Sequence, residues 1–161
     1  MRRLALPSLA SAGILLALAL PAAPALTGCD SSDPVSCAAG GELEVVDTTP
    51  EGTRLGARIT PNDCVYLTYE GRLDATGEVF DQNERVALLL TPQRAGDTGT
   101  VPGFRQAVVG RRVGESVRAT IPPTLAYGAQ PPAQSDIPAC ATLQFDITIG
   151  DTAPPSVCRG Q

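Results

Sequence analysis

Cysteines, aromatic rings and carboxylates are the residues of this chain whose chemistry could support a function. The 161-residue sequence contains no histidine, and its twelve basic side chains are all arginines. Without His or Lys, the chain cannot form a Ser–His–Asp relay, a Cys–His relay, a His-ligated zinc site or a Schiff base. The composition therefore indicates a function that depends on shape, apolar surface, carboxylates and hydrogen bonds.

The charge and the length exclude further classes of protein. The formal net charge is −5, whereas a protein that binds the phosphate backbone of a nucleic acid needs a positive face. We therefore expect no nucleic-acid partner. A chain of 161 residues is long enough for one domain with short appendages.

The amino-terminal segment has the pattern of a secretory signal. Residues 1–3 include two arginines, and the apolar stretch that follows over residues 4–26 is interrupted by Pro21 and Pro24. Prolines and small residues at the far end of such a stretch favour a cleaved signal peptide. A permanent signal-anchor helix is the alternative.

The residues Leu26-Thr27-Gly28-Cys29 resemble a bacterial lipobox, in which the cysteine is acylated and the chain is cut just before it. The resemblance implies a lipoprotein signal peptide over residues 1–28, lipidation of Cys29 and a lipidated tether over residues 29–40. Several acyl chains would anchor the protein firmly, whereas a single chain binds a membrane only marginally. We therefore expect a lipid-anchored protein of the bacterial cell envelope, either facing the periplasm or at the cell surface.

The other four cysteines are Cys37, Cys64, Cys140 and Cys158. An even number of cysteines in an oxidising compartment predicts two disulfides, and three connectivities are open. A metal site is the alternative, but spacings of 27, 76 and 18 residues include no close pair of the kind that zinc sites use.

Alternating apolar residues predict a small β-rich domain. The predicted strands cover residues 42–46, 64–73, 86–90, 116–121 and 142–149, and a tight turn at residues 75–77 returns the chain to residues 78–80. A short helix is predicted over residues 104–109, and a loop with five prolines over residues 122–139. We expect an α+β fold in which an antiparallel sheet wraps around one helix.

Short motifs along the chain resemble, in the same order, those of FKBP-type peptidyl-prolyl cis-trans isomerases. They are YEGRL at 69–73, GEVFD at 77–81, VPGF at 101–104, VGE at 113–115, IPP at 121–123, LAYG at 125–128, IP at 137–138 and ATLQFD at 141–146. The resemblance spans residues 41–150 and leaves residues 151–161 as a carboxy-terminal tail. It implies an FKBP-like five-stranded antiparallel sheet wrapped around one short helix.

The same resemblance implies a ligand pocket that contains five of the six aromatic rings, all except Tyr66. The residues that match the pocket positions of the family are Tyr69, Phe80, Asp81, Val101, Phe104, Tyr127, Ile137 and Phe145. The Val101 N–H and the Tyr127 hydroxyl would hold substrate carbonyls. Phe104 would form the floor, where the family usually has Trp, Asp81 would orient polar groups, and Phe80, Ile137 and Phe145 would line the proline ring. Large rings also serve as ordinary core residues, which is the alternative interpretation.

The activity implied by the resemblance is cis-trans isomerisation of X–Pro bonds in exported proteins. The substrates would be proline-containing polypeptides, and we expect a monomer with no cofactor and no metal. The alternative is an FKBP-like binding module that docks proline-containing or apolar segments of a partner without useful turnover. Two departures from the family pattern concern the pocket wall, which is aliphatic at residues 86–88, and its mouth, which the longer loop at residues 93–99 could cover.

The resemblance also selects a disulfide connectivity. In the family, the last strand lies antiparallel beside the second strand, and the first strand lies beside the fourth. That arrangement implies the pairs Cys37–Cys140 and Cys64–Cys158.

Overall fold

The structure is a computed structural model, and it describes residues 36–37, 40–91 and 100–159. The predictions for the signal peptide, for Cys29, for most of the tether and for the loop at residues 93–99 lie outside these residues. None of the helices in the described ranges has the length and the hydropathy needed to cross a membrane.

Five antiparallel strands form one sheet in the order β1-β4-β5-β2-β3. Their bounds are Glu44–Asp47 for β1, Cys64–Leu73 for β2, Val79–Leu89 for β3, Ser116–Ile121 for β4 and Leu143–Ala153 for β5. The last strand therefore lies between the second and the fourth, and the first lies beside the fourth, as the resemblance implies.

The alternation predicted from the sequence divides the sheet into two faces. Alternate residues are buried along β4, along β5 as far as Ile149 and, apart from the half-buried Tyr69, along β2 from Val65, because one face of these strands packs on the core and the other meets solvent. The apolar side chains that form the centre of this core are Val65, Leu67, Val117, Ala119, Ile121, Leu143, Ile147 and Ile149. The predicted five-stranded antiparallel fold with one short helix against the sheet is confirmed.

The helix that packs on the inner face, α1, runs from Pro102 to Val108. Proline is favourable in the first turn, since its ring fixes φ near the helical value and the missing N–H would have no partner there. At Gly103 a side chain would overlap the Ile121 Cγ2 atom, so the glycine allows α1 to approach β4 closely. The helix begins two residues before the predicted start because Pro102 and Gly103 belong to its first turn.

The structure differs from the predicted elements at β3 and beyond β5. The sequence predicts separate segments at residues 78–80 and 86–90, but one strand continues through the polar residues between them, because the backbone of residues 81–83 pairs with β2. This region shows no apolar alternation since β3 is an edge strand with mostly exposed side chains. Strand β5 extends to Ala153, and a second short helix, α2, follows at Pro155–Arg159.

Two disulfide bonds connect Cys37 with Cys140 and Cys64 with Cys158, with Cα–Cα distances of 5.2 and 6.0 Å. This is the connectivity that the resemblance implies. The strand register explains the second pair, because Cys64 is paired across the sheet with Ala153 at the end of β5, shortly before Cys158. The bond fastens α2 to the start of β2.

Candidate active site

A cavity of about 250 Å³ opens beside the beginning of α1, where strands β2, β3 and β5 and the loop after β4 meet. It is lined by Tyr69, Asp81, Leu88, Thr100, Val101, Phe104, Tyr127 and Phe145. Six of the eight residues suggested by the resemblance therefore surround one cavity. They come from five separate parts of the chain.

Two of the residues suggested by the resemblance do not line the cavity, and two residues outside that set do. Phe80 and Ile137 are not among the lining residues: Phe80 contacts Phe145, and Ile137 is 7% exposed within the core. Leu88, expected in an aliphatic wall, does line the cavity, and so does Thr100. Thr100 had no signal in the sequence, because a single threonine after a polar loop has no distinctive pattern.

Three aromatic rings in edge-to-face contact form the apolar base of the cavity. The Phe104 ring is 1% exposed, and its centroid lies 5.1 Å from that of Phe145 at an interplanar angle of 87°. The Tyr69 ring meets Phe104 at 5.5 Å and 78°. Such perpendicular pairs are favourable because the positive edge of one ring faces the negative face of the other. The base is therefore apolar and closely packed.

A β-bulge brings two consecutive residues of β3 to this site. Gly71 is paired with Asp81, while Arg72 is paired with Val79, so Phe80 is an extra residue in β3. In a regular strand, neighbouring side chains point to opposite faces, but a bulge re-aims them. As a result, Phe80 reaches the Phe145 ring and Asp81 reaches the cavity.

One hydrogen bond connects the acidic side of the cavity to its aromatic base. The Tyr69 hydroxyl donates to Asp81 Oδ2 at 2.8 Å. Burial raises the pKa of Tyr69 well above its ordinary value, and the hydrogen bond to the Asp81 carboxylate raises it further. Burial also raises the pKa of Tyr127, with a smaller contribution from the Asp81 charge. Both phenols therefore remain protonated, and able to donate, at neutral pH.

Two hydrogen-bond donors at the cavity have no acceptor among the described residues. One is the N–H of Val101, the residue that precedes α1; its carbonyl accepts from the N–H groups of Phe104 and Arg105 at 3.1 and 3.4 Å. The other is the hydroxyl of Tyr127, which is half-buried. Both donors belong to residues that line the cavity, so a ligand carbonyl can accept from either.

The loop that holds Tyr127 is fixed at both ends. It begins with a single 3₁₀ turn at Pro123–Leu125, and the Gly128 N–H donates to the Pro123 carbonyl at 3.0 Å. The Cys140 N–H donates to the Gly128 carbonyl at 2.8 Å, and Cys140 is itself bonded to Cys37. The disulfide therefore holds the base of the loop that positions the Tyr127 phenol.

Comparison with known proteins agrees with this geometry. Residues 56–150 match the model of the family described as FKBP-type peptidyl-prolyl cis-trans isomerase. Among solved structures, a peptidyl-prolyl cis-trans isomerase from Pseudomonas syringae pv. tomato has a TM-score of 0.57 and 25% identity, and the match covers 70% of this chain and 76% of that one.

Curated relatives include FK506-binding protein 4 of Chaetomium thermophilum, which is 38% identical over 65% of this chain, a match that covers 20% of the relative. FK506-binding protein 2 of Candida glabrata is 36% identical over 58% of this chain, and 67% of the relative is covered. The chain thus spans about a fifth of the first relative's length. The family match covers more than half of the chain and includes all eight residues around the cavity and all of β2, so this protein belongs to the FKBP-type peptidyl-prolyl cis-trans isomerases.

Proposed function

We propose that this chain is a peptidyl-prolyl cis-trans isomerase, anchored to the bacterial cell envelope through lipid on Cys29, that assists the folding of exported proteins. The observation that carries the proposal is the cavity of about 250 Å³, which combines an aromatic base with two donors that have no acceptor among the described residues. This volume lies below the range of about 300–1,000 Å³ for drug-sized ligands. It suits one proline ring of an extended polypeptide.

The reaction needs no nucleophile and no general base. Rotation about an X–Pro bond is slow because the resonance of the amide must be broken, with a barrier of about 18–20 kcal/mol. In the twisted transition state the amide has lost charge separation and needs less solvation by water. A dry apolar site therefore favours the twisted amide over the planar one. A thousandfold acceleration requires only about 4 kcal/mol of this preference.

The residues around the cavity have complementary roles in this mechanism. Phe104 and Phe145 would contact the proline ring and keep water from the amide. The Val101 N–H and the Tyr127 hydroxyl would hold carbonyls of the substrate on either side of the proline, which fixes the ends while the bond rotates. Asp81, accepting from the Tyr69 hydroxyl, would orient polar groups at the side of the cavity.

A protease-coupled isomerisation assay on X–Pro peptides tests the proposal, with the purified full chain and both disulfides formed. We expect acceleration that falls in Tyr127→Phe, since this change removes only the donor. Tyr66→Phe is the matched control, because Tyr66 does not line the cavity and its ring instead lies under the Arg85 guanidinium. Absence of acceleration by the folded, disulfide-bonded chain would contradict the isomerase proposal.

The second candidate function is that of a binding module without turnover. The residue at the floor of the cavity, Phe104, supports this candidate. Phe104 is smaller than the Trp that the family usually has, so it contacts less of a proline ring. Titration of a proline-containing peptide, followed by chemical-shift changes, separates the two functions. Binding at the cavity without acceleration would support the module, whereas binding with acceleration supports the isomerase.

The proposed anchor rests on the sequence at residues 26–29 and on the cysteine pairing. Four of the five cysteines are joined in disulfides, and the fifth is Cys29, directly after the apolar segment. We expect the wild-type chain in bacterial membranes with acyl groups detectable by mass spectrometry, and Cys29→Ser without them. An unacylated wild-type chain would contradict the anchor and leave the isomerase proposal untouched. Size-exclusion chromatography with light scattering in detergent tests the expected monomer.

A further inference from the structure

Gly71 is the eighth of the ten residues of β2 and lies between two residues of the site. It is paired with Asp81 on β3 and with Phe145 on β5, and the extra residue Phe80 precedes Asp81 in the bulge. Glycine in a strand interior weakens the strand and marks a place where other groups approach closely. The neighbours of Gly71 identify those groups.

Two aromatic rings close over the α-carbon of Gly71. A Cβ atom at this position would lie 2.7 Å from Phe145 Cε1, 2.8 Å from Phe80 Cζ and 3.0 Å from Phe80 Cε2. Carbon atoms in optimal contact are about 3.5–4.0 Å apart. Any side chain at position 71 must therefore displace both rings. Glycine is required here by the positions of the two rings, and not by a positive φ angle.

The two rings that a side chain at position 71 would displace are connected to the cavity by ring contacts. Phe80 does not line it, but its ring meets Phe145 edge-on at 5.5 Å and 88°. Phe145 does line it, and its ring meets Phe104 at 5.1 Å. A shift at Gly71 or Phe80 therefore reaches the floor of the cavity through one intermediate ring.

We propose that Gly71 and Phe80 are positioning residues, which set the place of the Phe145 ring and thereby the width of the proline cavity. This inference rests on the proposed isomerase function and adds a positioning role for Gly71, which has no side chain, and for Phe80, whose ring packs on Phe145. The space above Gly71 lets Phe145 sit against β2, and the Phe80 ring holds it there. Because the cavity is only about 250 Å³, a small movement of Phe145 changes what fits.

The experiment uses the full chain and compares Gly71→Ala with Gly150→Ala. Gly150 on β5 is the matched control, since a Cβ there would be equally crowded, 2.8 Å from the Tyr66 carbonyl oxygen, at a position away from the cavity. We expect kcat/KM to fall at least tenfold in Gly71→Ala and less than twofold in Gly150→Ala, per folded molecule.

A second readout is independent of catalysis. The chain has three phenylalanines, so isotope labelling of Phe alone yields three ring systems in an NMR spectrum, and the Phe80→Leu variant assigns one of them. We expect the Phe104–Phe145 ring contact to weaken in Gly71→Ala and to persist in Gly150→Ala. Phe80→Leu alone should lower kcat/KM several-fold, which keeps the proposal testable if Gly71→Ala does not fold.

The outcomes separate this inference from the proposed function. An unchanged ring contact in Gly71→Ala, or equal losses in the two glycine variants, would overturn the positioning role. An inactive wild-type chain would contradict the isomerase proposal, while the ring contacts would still show whether Gly71 and Phe80 position Phe145.

Discussion

The Tyr69 hydroxyl donates a hydrogen bond of 2.8 Å to the Asp81 carboxylate across the β2–β3 pair. The bond holds a carboxylate at the side of the cavity, next to its aromatic base. We predict that Tyr69→Phe, which keeps the ring and removes the donor, lowers kcat/KM for X–Pro peptides several-fold. Hydrogen bonds to charged groups contribute about 1.5–3 kcal/mol. An unchanged kcat/KM would show that the orientation of Asp81 does not affect the reaction.

Removing the Asp81 charge should lower the pKa values of two phenols. The carboxylate raises the pKa of Tyr69 and, through its charge, that of Tyr127. We predict that both values move toward the ordinary one in Asp81→Asn. Absorbance titration near 295 nm measures them, in a Tyr66→Phe background so that only these two phenols contribute. Titration curves that do not change on substitution would contradict the assigned cause.

The raised phenol pKa values also predict how stability depends on pH. Because the folded chain holds these protons more tightly than the unfolded chain, their contribution is fully present below the unfolded pKa of about 10. It is lost as the pH rises from there through the higher folded pKa. Urea unfolding at several pH values above 9 should therefore show a decreasing free energy of unfolding, and Tyr69→Phe should make the decrease smaller. A decrease of equal size in the variant would exclude Tyr69 as its source.

The Phe104 ring should matter for both stability and catalysis. It is 1% exposed and contacts both Tyr69 and Phe145. We predict that Phe104→Ala lowers the free energy of unfolding by about 3–5 kcal/mol, and that the milder Phe104→Leu lowers kcat/KM while the chain remains folded. Urea unfolding and the peptide assay measure the two effects. Full activity of Phe104→Leu would show that an aromatic floor is not needed.

The two disulfides should affect stability alike and activity differently. They close loops of similar length, with sequence separations of 103 and 94 residues, so removing either should destabilise the chain by about 2–4 kcal/mol. Only Cys140 is bonded to the Tyr127 loop, through the Gly128 carbonyl. We predict that replacing Cys37 and Cys140 with Ser lowers kcat/KM at low temperature, where the chain is folded.

Replacement of Cys64 and Cys158 with Ser is the matched control for that experiment, since this pair joins β2 to α2. It should lose comparable stability and keep its kcat/KM. Equal kcat/KM for the two pairs would mean that the Tyr127 loop does not depend on the Cys37–Cys140 bond.

Much of this protein follows from the sequence alone, because local patterns carry the information. Alternating burial of apolar side chains places β2, β4 and β5 correctly, since each strand must bury one face. The order of short motifs identifies the family and with it most of the residues that line the cavity. The polar half of β3 was not recognised as strand, because an edge strand has little apolar surface to bury and owes its conformation to backbone pairing with β2.

Only the tertiary structure shows which of the site residues line the cavity and which pack behind them. Phe80 and Asp81 are neighbours in sequence, and regular alternation would send them to opposite faces, but the bulge opposite Gly71 brings both to the site. The sequence does not reveal a bulge, since it arises from pairing with a distant strand. Whether a ring lines the cavity, as Phe145 does, or packs on a ring that lines it, as Phe80 does, likewise depends on packing between strands that are far apart in the chain.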